Sequence, residues 1–213
     1  MNKKGYFITS EGPEGAGKTT IMQLLGSRLL KEGYEVVMTR EPGGVKISEK
    51  IRNIILDREH IMMDSHTEAL LYAAARRQHL VEVILPALEQ GKIVICDRFI
   101  DSSLAYQGFA RGIGVEKIYS INQFAIGDTM PDKTIYFDIE PSVGLARINA
   151  HLEREKNRLD EESLSFHKKV REGYLHLLEK YPERFISIDA SKQVEEVLEE
   201  VYLVTKSELE KNR

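Results

Sequence analysis

The sequence predicts an α/β protein with a five-stranded parallel sheet flanked by helices on both faces, a three-layer sandwich. Three observations carry this expectation. Strand-like and helix-like segments alternate from end to end, with no internal repeat and no low-complexity linker. Several strand candidates are near-continuous apolar runs, such as Ile93-Val94-Ile95-Cys96, which is how strands buried on both faces read. A glycine-rich turn joins the first strand candidate to the first helical pattern.

Taken in order, the strands are expected over Gly5–Ser10, Glu35–Thr39, Lys92–Asp97, Lys133–Ile139 and Phe185–Asp189. Residues 18–32 place Ile21, Leu24, Leu25 and Leu29 on one helical face, with Gly33 as a C-terminal cap. Ser65-His66-Thr67-Glu68 has capping-box spacing and opens a long helical pattern to about Gln90, with a kink or break expected at Pro86. Further helices are expected over 115–126, 141–150, 161–180 and 191–211, the last lined by Val194, Val197, Leu198, Val201 and Val204. Cys96 ends a buried strand and reads as a small core residue.

Composition bounds the function. The 213 residues suffice for one domain with a sizeable core. A formal net charge of −4 argues against broad nucleic-acid binding, so no nucleic-acid polymer is expected as a partner. The single cysteine excludes an intramolecular disulfide and a cysteine-based zinc site. No apolar run approaches a membrane span or a signal peptide, so a cytoplasmic setting with no membrane partner is expected.

Gly12-Pro13-Glu14-Gly15-Ala16-Gly17-Lys18-Thr19 matches G-x-x-x-x-G-K-[ST], and Thr20 follows. Glycines let backbone N–H groups surround phosphate oxygens, Lys18 supplies a point charge, and the Thr19 hydroxyl can hold Mg²⁺. The following helix adds its N-terminal dipole. Four such positions coincide by accident in roughly one chain of this size in a hundred, and the strand before and helix after lower that further. ATP with Mg²⁺ is therefore expected, which by itself leaves a kinase, a GTPase switch and a motor ATPase open. No Asn-Lys-x-Asp guanine motif is present, and the chain is short for a motor subunit.

Transfer between two anions needs cations around both. Thr39-Arg40-Glu41-Pro42-Gly43-Gly44 follows the second strand, and Asp97-Arg98 ends the third, where ligands of open α/β sheets bind. Asp97 can orient Mg²⁺ and Arg98 can hold phosphate bidentately. Tyr72 and Arg76, spaced i, i+4, put a ring and a guanidinium on one helix face, to stack on and hydrogen-bond a base or simply to meet solvent. Residues 147–160 lack a strong apolar stripe and carry Arg147, Arg154 and Arg158, which suits a mobile lid over phosphates or a solvated charged helix.

Three stretches now point one way: Glu11 to Thr20, Thr39 to Gly44, and Asp97-Arg98-Phe99-Ile100-Asp101-Ser102-Ser103-Leu104-Ala105-Tyr106-Gln107-Gly108. In order and spacing the chain resembles the bacterial thymidylate kinase family over nearly its whole length. That resemblance implies a single P-loop kinase domain over 1–213, with the phosphate loop at 12–19 and a short helical lid near 147–160. It implies Mg²⁺-dependent transfer of the ATP γ-phosphate to dTMP, giving dTDP and ADP, and a homodimer. Tyr72 matches the position that stacks on thymine, Arg76 one that hydrogen-bonds it, and Ser103 and Gln107 further base-contacting positions. Tyr106 falls beside the deoxyribose, Arg52 and Arg98 on the dTMP phosphate, and Glu14 on its sugar and phosphate, with Glu41 also on the dTMP side. The stretch 13–16 has no arginine, which implies that the lid supplies one: Arg154 first and Arg158 second for the transferring phosphate, with Arg147 near the adenine. Ser10 and Phe99 depart from the residues commoner in relatives, Phe and Tyr, and remove no group this chemistry needs.

Overall fold

A computed structural model describes residues 5–150 and 158–211. Its five strands, β1 (Tyr6–Glu11), β2 (Val36–Arg40), β3 (Ile93–Asp97), β4 (Lys133–Asp138) and β5 (Phe185–Asp189), form one sheet in the order β2-β3-β1-β4-β5. Every neighbouring pair is parallel. The register aligns Arg40 with Asp97 and Asp97 with Ser10, so the carboxyl ends of three adjacent strands finish together. That alignment places the residues following β1, β2 and β3 side by side.

Alternation along the strands divides the core in two. Phe7, Val94, Cys96 and Tyr136 point to one face. Ile8, Ile93, Ile95 and Phe137 point to the other. The second face is covered by helix α1 (Lys18–Lys31), through Ile21, Met22, Leu25 and Leu29, and by the C-terminal helix Val194–Lys211, through Val197, Val201 and Leu209. The expected apolar stripes are core-facing except at Leu24 and Val194, which are exposed at 41% and 48% because they fall at the edge of the buried face and at the helix start. Each fully buried Leu or Ile contributes roughly 1.5–3 kcal/mol over an exposed one. Cys96 is fully buried, and burial, with Glu41 and Asp97 nearby, pushes its thiol well above the ordinary range.

The first face carries the remaining layer. Helix α2 (Lys46–Leu56), which the sequence reading did not anticipate, packs against α3 (Ser65–His79). The long pattern expected to Gln90 breaks as anticipated near Pro86. It runs from α3 through a wide π turn at Leu80–Ile84 into α4 (Leu85–Glu89). Proline lacks the N–H of a regular helix and its ring crowds the carbonyl four residues back, and the wide turn lies directly before it.

The start of α3 differs from the expected capping box. Its cap is Asp64, whose carboxylate accepts from His66 N at 3.0 Å and Thr67 N at 3.1 Å. Glu68 is instead drawn into the interior by tertiary partners described below. After β3 the chain forms α5 (Ile100–Ser103) and a π segment (Leu104–Ala110), also unanticipated as helix. Then follow α6 (Val115–Ile126), α7 (Pro141–Ala150), a 3₁₀ turn (Arg158–Glu161), α8 (Leu164–Lys180) and α9, the C-terminal helix already described.

Candidate active site

β1 ends at Glu11 and the chain turns through Gly12-Pro13-Glu14-Gly15-Ala16-Gly17 into α1. Gly15 sits at φ 74° and Gly17 at φ 80°, in the left-handed region that favours glycine. A Cβ on Gly15 would lie 2.1 Å from the Gly144 carbonyl oxygen, so the loop's approach to α7 also requires the missing side chain. Residues Glu14 to Thr20 line a cleft of about 980 Å³. Gly12 and Pro13 act from behind it: their carbonyl oxygens accept from Lys18 Nζ at 3.0 and 2.7 Å. Lys18 is buried, and that burial, reinforced by the Arg98 charge, lowers its pKa to about 8.

Thr19, the first-turn hydroxyl of α1, donates to Asp97 Oδ2 at 2.5 Å, and Ser10 donates to Asp97 Oδ1 at 3.2 Å. The two oxygen donors expected to hold Mg²⁺ are thus adjacent at the cleft's phosphate end.

Arg98 occupies the middle. It adopts φ 69°, unusual for a residue with a side chain. One terminal nitrogen donates to Gly12 O at 3.2 Å, Ser102 Oγ at 3.1 Å and the Tyr174 hydroxyl at 3.2 Å. The other donates to Glu14 Oε1 at 2.6 Å, and the Tyr106 hydroxyl donates to the same oxygen at 3.1 Å. Behind Arg98 lies Glu11, fully buried, which accepts from Phe99 N at 2.7 Å, Ser102 Oγ at 2.6 Å and the Tyr174 hydroxyl at 2.8 Å. Burial, and then the Asp101 charge, raise the Glu11 pKa to about 7 against the opposing pull of Arg98.

The far end of the cleft is built on α3. Tyr72 and Arg76 both line it, with Ser103 and Gln107 from the segment after β3. Arg76 is not a solvated residue: it is 2% exposed. Its Nε donates to Glu41 Oε2 at 2.7 Å, and its terminal nitrogens reach Ser103 Oγ at 3.1 Å, Phe99 O at 2.9 Å and Asn122 Oδ1. Glu41 also pairs with His79 Nδ1 at 2.9 Å, and His79 Nε2 meets the Thr39 hydroxyl at 2.6 Å. Glu41 thus lines the cleft itself and also fixes Arg76. Arg52 lines the cleft and donates to Pro42 O at 3.0 Å, as Arg40 does at 3.0 Å. Arg147 lines the opposite wall and donates to Ala190 O at 2.9 Å and Ser191 O at 3.3 Å.

Comparisons with known proteins speak to this arrangement. The family model described as thymidylate kinase matches residues 10–201. A thymidylate kinase of Bacillus velezensis is 61% identical over 207 residues, 97% of this chain and 98% of that protein. One from Clostridium novyi is 61% identical over 201 residues, 94% of this chain and 98% of that protein. The chain belongs to the thymidylate kinase family. A crystal structure of thymidylate kinase from Ehrlichia chaffeensis aligns with a TM-score of 0.76 at 37% identity, covering 95% of this chain and 99% of that one.

Against the thymidylate kinase expectation, one placement needs correcting. Arg158 is buried, and it donates through Nε to Ile55 O at 3.0 Å and through a terminal nitrogen to Glu68. It does not face the phosphate loop, because the buried carboxylate of Glu68 and the open carbonyl at the end of α2 hold it toward α3. Arg154 lies outside the described residues. Sequence reasoning also passed over Glu11, Glu68, His79, Ser102, Asn122 and Tyr174. Glu11 and Ser102 lie inside the motif stretches without being read as site residues, Glu68 read as a cap, and no local motif marks His79, Asn122 or Tyr174. All six are tied to the site by partners distant in sequence.

Proposed function

We propose that this chain transfers the γ-phosphate of ATP to the 5′-phosphate of dTMP, giving dTDP and ADP. The observation that carries the reading is that one cleft holds a phosphate loop at one end and the Tyr72, Arg76, Ser103 and Gln107 group at the other, with Arg98 between them. Family membership and the names of relatives about 60% identical support dTMP as the acceptor.

The acceptor phosphate oxygen is already nucleophilic, so the protein's task is alignment and neutralisation of charge. Lys18 and the α1 N-terminus serve the donor phosphates. Arg98 and Arg52 serve the acceptor phosphate, with Glu14 fixing Arg98 through its 2.6 Å contact. Tyr72 presents a ring to the base and Tyr106 borders the sugar. Arg154 is proposed for the transferring phosphate and Arg147 for the adenine side. The adjacent hydroxyl and carboxylate of Thr19 and Asp97 are hard oxygen donors that suit Mg²⁺. Bound with ATP, Mg²⁺ offsets phosphate charge.

ADP release from Mg·ATP, measured against a panel of deoxynucleosides and nucleoside monophosphates, tests the reading. A dTMP-selective signal is expected. A different best acceptor contradicts dTMP, and no signal with any acceptor contradicts a kinase.

The chain is further proposed to act as one domain, in the cytoplasm, as a homodimer. Among the described residues no helix is long and apolar enough to cross a membrane. For the dimer, α3 packs between α2 and α6, and Ile54, Leu70 and the 93% exposed Phe124 leave apolar surface on these three helices. Sedimentation is expected at twice the chain mass, and the single-chain mass contradicts the dimer.

A further inference from the structure

Gln107 is 1% exposed and lines the base end of the cleft beside Tyr72, Arg76 and Ser103. Its Nε2 donates to Glu68 Oε1 at 2.8 Å. Its Oε1 is buried and has no hydrogen-bond partner. An orphan acceptor of this kind is costly unless something else satisfies it.

The cause of the arrangement lies in Glu68. An ionised carboxylate only accepts, so the Gln107 amide must turn its nitrogen toward Glu68 and its oxygen away. Glu68 is itself immobilised: Arg158 donates to its Oε2, and Arg111 reaches the same oxygen at 3.4 Å. Burial pushes its carboxyl upward, but the Arg111 charge and the hydrogen bonds from Arg158 and Gln107 outweigh that and hold it below the ordinary range. The carboxylate is therefore charged, fixed and acceptor-only at neutral pH.

We propose that Glu68 is a specificity-positioning residue: by fixing the Gln107 amide with its oxygen toward the base, it makes the pocket select pyrimidines that carry N–H at ring position 3. This rests on the dTMP reading and adds the residue that sets the polarity of recognition. Thymine and uracil present N–H at that position and satisfy the orphan oxygen. Cytosine presents a lone pair there, which sets acceptor against acceptor. A site built to hydrogen-bond a particular group rejects analogues lacking it far more strongly than an apolar pocket does.

The test is kcat/KM for dTMP, dUMP and dCMP in the wild type, Glu68→Gln and Gln107→Leu. Glu68→Gln frees the Gln107 amide to rotate, because an amide both donates and accepts. The dTMP-to-dCMP ratio is expected to fall by at least about tenfold, the loss of one oriented hydrogen bond, while the dTMP-to-dUMP ratio stays put, since both bases carry the N–H. Gln107→Leu keeps Glu68 and both arginines, and is expected to lower the same ratio. A Glu68→Gln protein that loses thermal stability or overall rate but keeps the dTMP-to-dCMP ratio shows a purely structural Glu68 and overturns the proposal. If that variant does not fold, an unchanged ratio in Gln107→Leu overturns it instead. Wild-type protein that does not phosphorylate dTMP at all defeats the functional reading, a separate outcome from either of these.

Discussion

Lys18→Ala is expected to lower kcat for dTDP formation by about a hundredfold or more, the scale seen when one preorganised donor to developing charge is removed, while dTMP affinity stays within a few-fold (roughly one exposed contact's worth). The asymmetry follows from position. Lys18 is seated inside the Gly12–Thr19 loop on Gly12 O and Pro13 O, and the far end of the cleft, proposed for the base, is built from α3 and the segment after β3. A pH dependence accompanies it. In the ligand-free protein the Lys18 pKa is about 8, below its ordinary 10.5, because of burial and then the Arg98 charge. The folded protein sheds this proton before the unfolded chain does. The cost of holding the buried ammonium is therefore full below pH 8 and is relieved as pH rises toward 10.5. ATP affinity runs the other way, weakening as the lysine loses its charge above pH 8. Calorimetric ATP titrations at pH 7 and 9, with thermal melts at the same values, read both slopes. Lys18→Ala removes the lysine's contribution to each, and near-normal turnover by that variant contradicts its assigned role.

Arg98→Ala is expected to lower kcat/KM for dTMP by about a hundredfold or more and to destabilise the fold as well. This guanidinium joins Gly12 O, Glu14, Ser102 and Tyr174, so its loss strips a cation from between two carboxylates. Truncating one partner of a buried pair leaves the other charge uncompensated. Glu11 behind it feels this directly. Its folded pKa of about 7 exceeds its ordinary 4.5, through burial and then Asp101, while Arg98 opposes the rise. The stability this group contributes is full below pH 4.5 and is lost as pH climbs through 7. Without Arg98 that loss shifts to higher pH. Arg98→Lys does not restore activity, because an ammonium cannot reproduce a planar fork. Arg28→Ala is the contrast. Arg28 pairs with Glu199 on the surface, where such bridges contribute little, and kcat/KM is expected to be unchanged. Equal effects from Arg28→Ala and Arg98→Ala on kcat/KM contradict the assignment.

What the sequence made legible, it made legible through local rules. The strands fall within a residue of their expected ends because buried parallel strands read as apolar runs. The phosphate loop is local by construction, and the arginines at strand ends are placed by the parallel register. The helix at 46–56 was also readable, since Ile47, Ile51, Ile54 and Ile55 recur at helical spacing. The misreadings share a cause. Glu68 looked like the second half of a capping box and Arg158 like a lid arginine, yet the two find each other 90 positions apart. Tyr174 reaches Glu11 across 163 positions. Buried polar contacts of this length override local preference, and no spacing rule announces them.

The central claim is that this cleft moves a phosphoryl group from ATP to dTMP. Its most direct test follows label from Mg·[γ-³²P]ATP in the presence of dTMP. The label is expected to appear in dTDP, with ADP formed in equal amount and little inorganic phosphate. Label released as inorganic phosphate at the same rate with and without dTMP contradicts the claim.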